Sequence, residues 1–284
     1  MNLQWFPGHM AKTRRMIGDN LKLVDVVVEL LDARLPLSSR NPEIDKLVGE
    51  RPRILVLNKS DIADKRATQE WLQWFAEKGY TAIAADSQSG GGFSALGPAV
   101  DKVMHEKLER DRAKGIQRHS VRMMAVGIPN VGKSSFINRL SGRNAARTGD
   151  RPGVTTAKQW IRIAGKYDLL DTPGILWPKF EDPETAKRIA FTGGIKDEII
   201  DVEELACELL RYLAAEYAEA LCTRYKLEIS EMETEPFALL EQIGRKRGCV
   251  VSGGEIDTFR AATLLLDEFR GAKIGAITLE RVPK

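Results

Sequence analysis

The chain has 284 residues, of which 43% are hydrophobic, and its formal net charge is +3. This length and apolar content support one or two complete domains, and the mild positive charge permits a nucleic-acid partner without requiring one. Three scattered cysteines without zinc-ligand spacing, no signal-peptide pattern and no apolar run near the roughly 18 residues of a membrane span predict a cytoplasmic protein with no zinc site and no membrane contact.

The first part of the chain predicts two buried strands, each followed by polar residues. The first strand spans residues 24–31 and is followed by Asp32-Ala33-Arg34-Leu35-Pro36. The second strand spans 53–57 and delivers Asn58-Lys59-Ser60-Asp61, an N-K-x-D pattern. Ligand sites in open α/β sheets lie outside such strand ends, so both segments are candidates for a binding site.

The N-K-x-D pattern has a specific chemical use, which is the recognition of guanine. The Asp61 carboxylate can accept hydrogen bonds from N1–H and the exocyclic amine of guanine, whereas adenine would leave it unpaired at a cost of about 1–3 kcal/mol. Asn58 is expected to contact the base and to brace the phosphate-binding loop, and the Lys59 stem to cover the ring face. Without further support, a four-residue pattern of this kind also fits a solvated turn.

Residues 68–120 predict further alternation of helix and strand. A helix, a strand, a second helix and a linker are expected at 68–78, 80–85, 93–114 and 115–120. Asp86 and Ser87 follow the strand, and their backbone N–H groups are candidate donors to the guanine O6.

A phosphate-binding loop is predicted near the middle of the chain. Residues 127–134 fit G-x-x-x-x-G-K-[ST] between a predicted strand at 121–126 and a predicted helix at 135–140. Inward-pointing N–H groups and the helix N-terminus favour phosphate oxygens, Lys133 would reach the β- and γ-phosphates, and the Ser134 hydroxyl would bind Mg²⁺. The predicted nucleotide contacts of this loop are Asn130, Val131, Gly132, Lys133, Ser134 and Ser135. The alternative is a glycine-rich turn with an accidental lysine.

The segment after this loop has the features of a γ-phosphate sensor. A polar stretch at 141–156 ends in two threonines, of which Thr156 is favoured over Thr155 as the residue that completes the Mg²⁺ shell. A hairpin is predicted at 158–163 and 166–170. It ends in Asp171-Thr172-Pro173-Gly174, a D-x-x-G pattern in which Asp171 would hold Mg²⁺ through water and the Gly174 N–H would meet the γ-phosphate.

The last hundred residues predict a separate, mainly helical domain. Helices are expected at 185–190, 202–221, 236–245 and 256–271, with a possible strand at 273–279. The cluster Arg245-Lys246-Arg247 lies at a helix end, where cations are favourable through the helix dipole alone. An RNA-contact role for this cluster is the less favoured alternative.

The nucleotide patterns occur in an unusual order. A Ras-like GTPase runs phosphate loop, switch threonine, D-x-x-G and then N-K-x-D, whereas here N-K-x-D comes first. We therefore predict an α/β fold: a circularly permuted Ras-like P-loop GTPase domain with a mainly parallel sheet, plus a smaller all-helical C-terminal domain. The predicted boundaries are 1–180 for the GTPase domain (an N-K-x-D half at 1–114, the linker at 115–120 and a P-loop half at 121–180) and 181–284 for the helical domain.

The chain resembles, over essentially its full length, the circularly permuted GTPases of the ribosome biogenesis GTPase A (YlqF) family. The segments that carry this resemblance are Trp5-Phe6-Pro7-Gly8-His9-Met10, Asp32-Ala33-Arg34-Leu35-Pro36 and residues 58–61, 127–135, 152–156 and 171–178. The resemblance implies a factor that acts late in assembly of the large ribosomal subunit, with a C-terminal helical domain that touches ribosomal RNA. GTP, GDP and Mg²⁺ are the implied ligands, and the protein is expected to be a monomer away from the ribosome.

Hydrolysis is expected to be slow in isolation. Many GTPases place a water-orienting glutamine directly after D-x-x-G, but this chain has Ile175 there. Three sources of help remain open: His9 in the segment that resembles the family's Gly-His-Met, a K⁺ ion held by Asn130 as in potassium-activated GTPases, and the ribosomal particle itself. The structural alternatives are that His9 is a surface or packing residue and that Asn130 only shapes the loop.

Two functions of different classes follow from these features. The first is an enzymatic switch in which GTP-bound protein docks on a ribosomal precursor and hydrolysis releases it. The second is an RNA- or protein-binding module in which nucleotide is structural and hydrolysis is not required. A role in RNA modification or protein targeting is less favoured, because no matching substrate signature occurs in the sequence.

Overall fold

The computed structural model of the chain describes residues 15–116, 120–142, 159–163, 166–171 and 182–283, with the main chain alone for 159 and 171. The described residues divide into two compact units. The first holds the residues before 182 together with a carboxyl-terminal tail that begins at Glu280, and the second is Asp182–Leu279. The sequence predicts the tail as part of the helical domain, whereas its contacts place it with the first unit.

The first unit is built on a six-stranded sheet in the order β3-β2-β1-β4-β6-β5. Neighbouring strands are parallel, except that β5 runs antiparallel to β6. The strands are β1 Val26–Asp32, β2 Arg53–Asn58, β3 Thr81–Ala84, β4 Val121–Val126, β5 Gln159–Ile163 and β6 Tyr167–Asp171. The mainly parallel sheet and the antiparallel hairpin at its edge confirm the predicted fold class.

The central strand is buried on both faces, as expected for a parallel sheet covered by helices. Every residue of β1 is buried, and its sequence is an almost uninterrupted apolar run. One cluster on its face joins Val27 to helical residues such as Ile44, and a second joins Leu31 to Trp71 and Phe75. Burying apolar area on this scale is the main stabilisation of the unit.

Helices connect the strands of the first unit. They are α1 Pro42–Val48, α2 Lys65–Glu77, α3 Leu96–Ala113 and α4 Lys133–Ser141, and residues 15–21 are also helical. The predicted helix at 93–114 begins instead with a short 3₁₀ turn at Phe93–Ala95. Asp64 caps α2 by accepting hydrogen bonds from the N–H groups of Arg66 and Ala67 at 2.8 and 3.0 Å, which explains why this helix starts earlier than periodicity predicts.

The second unit is helical, as the sequence predicts. Its helices are α5 Pro183–Phe191, α6 Val202–Glu216, α7 Ala218–Tyr225, α8 Pro236–Lys246 and α9 Thr258–Arg270. The predicted helix at 202–221 is wrong as one continuous helix, because it is interrupted at Tyr217. The possible strand at 273–279 is also wrong, because this segment has no strand structure. Among the helices of the described part of the chain, none is long and apolar enough to cross a membrane.

Candidate functional site

The candidate site lies at the carboxyl ends of three neighbouring strands. β4 leads into the loop at 127–132, and the adjacent β1 and β2 end at Asp32 and Asn58, which are paired in the sheet register. Sequence segments that are about 70 residues apart therefore meet at one edge of the sheet. This is the position at which open α/β sheets bind ligands.

The phosphate loop needs glycine at two positions. Gly132 has φ of 90°, and a Cβ there would lie 2.4 Å from the Asn58 Nδ2. Gly127 has φ of 157°, and a Cβ there would lie 2.6 Å from the Leu30 carbonyl oxygen. Both glycines let the loop pass closer to the two neighbouring strands than a side chain would allow.

The N-terminus of α4 has the properties of an anion site. Its N-cap is Gly132, which offers no side-chain hydrogen bond to the first turn. The unpaired N–H groups of such a turn and the helix dipole favour phosphate oxygens. Lys133 opens the helix and is 9% exposed, while Ser134 and Ser135 are partly exposed beside it.

Asn58 joins the two halves of the predicted nucleotide site. Its side chain is fully buried, and its Nδ2 donates to the Val131 carbonyl oxygen at 2.7 Å. Its Oδ1 accepts a hydrogen bond from the Ser87 hydroxyl at 2.6 Å. The expected brace between Asn58 and the phosphate loop is therefore present, whereas its contact with a base stays a prediction.

Lys59 forms a second link to the phosphate loop. Its ammonium group donates to the Asn130 carbonyl oxygen at 2.5 Å and to the Asp32 carboxylate at 3.1 Å. Lys59 and Asn130 both have left-handed backbones, with φ of 60° and 61°. Left-handed backbones are uncommon for residues other than glycine, and here the two residues are joined by a hydrogen bond.

Asp32 lies in a segment that the sequence marks as a candidate binding site, without giving this residue a role. Burial of its carboxylate would raise its pKa, but Arg34 and Lys59 outweigh that effect and hold the pKa well below its usual range. The Arg34 guanidinium forms a two-pronged contact with Asp32, at 2.9 and 2.8 Å, and both side chains are about 2% exposed. An aspartate–arginine pair directly after a buried strand was the available sequence signal.

Asp61 is positioned to receive a ligand. It lies in an exposed position three residues after Asn58. Partial burial and the neighbouring Asp86 carboxylate raise its pKa. An exposed carboxylate can accept hydrogen bonds from a pair of neutral donors, which is what guanine offers.

The structure revises the expected role of the loop after β3. The Asp86 N–H already donates to the Gly91 carbonyl oxygen at 2.9 Å, so it is not the donor to O6 that the sequence suggests. The Asp86 carboxylate instead accepts hydrogen bonds from Gln88 and Ser89, including the N–H groups at 2.7 and 3.1 Å, and these contacts lower its pKa despite burial. Asp86 shapes the loop, and the Ser87 N–H remains the candidate donor.

Several predicted site residues lie outside the described parts of the chain. They are His9, Thr155, Thr156, Gly174 and Ile175. Asp171 closes β6, which lies next to β4 in the sheet, but only its main chain is described. The Mg²⁺ roles of Ser134, Thr156 and Asp171 therefore stay predictions.

The described residues fit a guanine nucleotide. Gly132 provides the close backbone approach that a phosphate needs, and the uncapped N-terminus of α4 provides donors. Asp61 would supply the acceptor for the base, and Lys133 would supply a charge for the β- and γ-phosphates. Mg²⁺, held through Ser134, would neutralise phosphate charge in such a site.

A phosphate loop on a central parallel strand, braced from an N-K-x-D loop that precedes it in sequence, defines a circularly permuted P-loop GTPase. A ribosome biogenesis GTPase A of Bacillus cereus is 50% identical over 280 residues, which are 99% of this chain and 94% of that protein. The chain belongs to the ribosome biogenesis GTPase A family.

Other comparisons agree with this assignment. Residues 122–241 match the family model described as 50S ribosome-binding GTPase. A ribosome biogenesis GTPase A of Thermotoga maritima is 31% identical, over 98% of this chain and 94% of that protein. The crystal structure of GNP-bound YlqF from T. maritima superimposes with a TM-score of 0.63 at 28% identity, covering 95% of this chain and 98% of that one.

Proposed function

We propose that the protein is a GTP-hydrolysing assembly factor that binds the precursor of the large ribosomal subunit late in maturation and is released on hydrolysis. The observation that carries this proposal is the 2.7 Å hydrogen bond from Asn58 to the Val131 carbonyl. It joins the base-recognition loop to the phosphate loop, so that one ligand with guanine and phosphates satisfies both. The name of the relatives supplies the ribosomal part of the proposal.

Residues in this site have defined roles in the proposed reaction. Asp61 selects guanine, Lys133 and the loop N–H groups hold the phosphates, and Ser134 holds Mg²⁺ together with Thr156 and Asp171. Mg²⁺ supplies charge neutralisation at the phosphates. The Gly174 N–H senses the γ-phosphate and passes nucleotide state to the segment that leads into the helical unit.

Slow intrinsic hydrolysis is part of the proposal, because Ile175 cannot orient water. Asn130 is the proposed K⁺ ligand, and the cation would stabilise charge beside the phosphates. Its main chain supports this role, since the left-handed backbone is fixed by the hydrogen bond from Lys59. His9 and the ribosomal particle are the other proposed sources of activation.

The helical unit is the proposed RNA-contact region, and its basic cluster divides into two groups. Arg247 donates to the Arg224 carbonyl oxygen at 3.0 Å and lies 3.7 Å from the Glu268 carboxylate, so it stabilises its own unit. Lys246 also donates to a main-chain carbonyl, that of Lys226. Arg245 is exposed in the last turn of its helix and is the best candidate of the three for an RNA phosphate.

The decisive test is multiple-turnover phosphate release with and without large ribosomal subunits, in K⁺ and in Na⁺. We expect slow release alone, stimulation by the subunit, and faster turnover in K⁺. The Lys133→Ala variant serves as the inactive control. Subunit binding without any turnover would favour the alternative, a module in which nucleotide is structural.

The sources of activation are separated in the same assay. Loss of the difference between K⁺ and Na⁺ in Asn130→Ala supports the cation role. If His9→Ala keeps full subunit-stimulated turnover, His9 has no catalytic role.

A further inference from the structure

The carboxyl-terminal tail makes an unusual contact with the loop after β1. The Glu280 carboxylate accepts hydrogen bonds from the Leu37 N–H at 2.7 Å and from the Ser38 N–H at 3.0 Å. It also accepts one from the Ser38 hydroxyl. Glu280 is only 5% exposed, so these donors replace the water that a carboxylate normally binds.

Other contacts fix the tail at this place. The Trp71 indole N–H donates to the Glu280 carbonyl oxygen at 3.1 Å. Val282 packs against the apolar cluster that contains Trp71 and Phe75. Arg281 lies 3.9 Å from the Asp64 carboxylate. The tail is therefore packed as an integral part of the first unit.

The loop that Glu280 holds is connected to Asp32. Ser39 follows the two residues capped by Glu280, and its hydroxyl oxygen accepts the Asp32 N–H at 3.0 Å. The same hydroxyl donates to the Leu35 carbonyl oxygen at 2.6 Å, and Ser39 is 1% exposed. A displacement of this loop would therefore move the acceptor of the Asp32 main chain.

From Asp32 the connection continues into the phosphate loop. The Asp32 carboxylate and the Asn130 carbonyl oxygen share the Lys59 ammonium, at 3.1 and 2.5 Å. Glu280 thus connects to Asn130 in steps: hydrogen bonds to Leu37 and Ser38, the covalent chain from Ser38 to Ser39, and the hydrogen bond between the Ser39 hydroxyl and the Asp32 main chain. The Asp32 side chain then continues the connection through Lys59 to the Asn130 carbonyl oxygen.

We propose that Glu280 is a positioning residue for the guanine-nucleotide site, acting through the loop at 35–39. With Glu280 in place, Asp32 and Lys59 hold Asn130 in the backbone conformation that the phosphate loop requires. Without it, two main-chain N–H groups lose their acceptor and the loop relaxes, which releases Lys59. This inference rests on the proposed binding of guanine nucleotides, and it adds a remote residue that sets their residence time.

The test compares dissociation of fluorescent GDP from full-length variants. Glu280→Gln places an amide N–H against main-chain donors, and we expect GDP to leave about fivefold faster or more. Ser38→Ala removes one donor to the carboxylate and should shift the rate in the same direction by less. Glu50→Gln, an exposed glutamate of the same unit, is the matched control and should keep the original rate.

A purely structural role for Glu280 gives a different result. In that case the variants melt at lower temperature but release GDP at the original rate well below the melting point, and the proposal is overturned. If Glu280→Gln does not fold, the rate in Ser38→Ala decides. Failure of the unsubstituted protein to bind GDP would instead overturn the proposed function itself.

Reciprocity provides a second readout. Because coupling between two sites is mutual, GDP should slow amide hydrogen exchange at Leu37 and Ser38. Exchange at these two amides that is the same with and without GDP would contradict the connection.

Discussion

At the residue scale, the site depends on a few positions where the backbone and side chains leave no spare room. Gly132 is the strictest, because its left-handed backbone and the nearby Asn58 Nδ2 both exclude a side chain. The need for glycine at this position has a steric cause and a conformational cause. Substitutions at Gly132 and Asn58, alone and together, test them.

Gly132→Ala should abolish tight GDP binding, since the loop must move away from Asn58. Adding Asn58→Ala removes the clash but not the backbone strain, and it also removes the brace to Val131. We expect the double variant to bind GDP no better than Asn58→Ala alone, as measured by titration calorimetry. Tight binding by Gly132→Ala itself would contradict the role given to this loop.

Asp61 is the residue proposed to determine which base is accepted. An amide at this position has one donor and one acceptor, which matches the O2 and N1–H of xanthine better than the two donors of guanine. Asp61→Asn should therefore weaken GDP binding by about tenfold or more and strengthen binding of xanthosine diphosphate. Competition between the two nucleotides measures the change, and unchanged preference for GDP would show that Asp61 does not contact the base.

Asp32 gives stability a defined dependence on pH. Because its folded-state pKa is depressed, its contribution is complete above the unfolded pKa of about 3.9 and is lost as pH falls below that value. The difference in free energy of unfolding between the protein and Asp32→Asn should be constant from pH 7 to 5. Below about pH 4 it should shrink by about 1.4 kcal/mol per pH unit. Urea unfolding at several pH values measures this, and a difference that grows on acidification would contradict the charge assignment.

At the scale of secondary-structure elements, periodicity predicted most strands and helices because the sheet is buried on both faces. The strand β4 and the type of each long helix follow from such patterns. The break at Tyr217 does not, since residues 202–221 are continuously helix-forming. It coincides with contacts to a segment about 60 residues later in sequence: the Tyr217 hydroxyl donates to the Thr278 carbonyl oxygen at 3.0 Å and accepts from the Thr278 N–H at 3.1 Å.

This contact leads to a prediction for the helical unit. Tyr217→Phe removes the acceptor of a fully buried N–H, and we expect a loss of about 1–3 kcal/mol in the free energy of unfolding. Tyr212→Phe is the matched control, because the Tyr212 hydroxyl donates to the Thr278 carbonyl oxygen at 3.0 Å, an acceptor that Tyr217 also contacts. Its cost should be smaller, and equal costs would show that the N–H does not depend on Tyr217.

For the candidate site too, local sequence patterns were informative, whereas contacts between distant segments could not be predicted. N-K-x-D and the phosphate loop are local patterns, so the sequence alone is enough to propose Asn58, Asp61 and Lys133 as site residues. The contacts of Glu280 with the loop after β1, and of Asp32 with Lys59, arise only when distant segments meet. The role of Asp86 was misjudged because its N–H bonds within its own loop, to Gly91, a detail that no residue pattern encodes.

At the scale of the whole molecule, permutation explains why the phosphate loop lies in mid-sequence. The sheet places β4 between β1 and β6, so the two halves complete one site despite their reversed order. The permutation also places the helical unit directly after the D-x-x-G segment in sequence. Nucleotide state is thus proposed to control the unit that is proposed to contact the ribosome.

Co-sedimentation with large ribosomal subunits and their precursors tests this account most directly. Binding should be compared in a non-hydrolysable GTP analogue, in GDP and without nucleotide, at two salt concentrations. We predict strong, salt-sensitive binding with the analogue and weak binding with GDP or without nucleotide. Equal binding in all three states would contradict the proposal that GTP controls attachment to the ribosome.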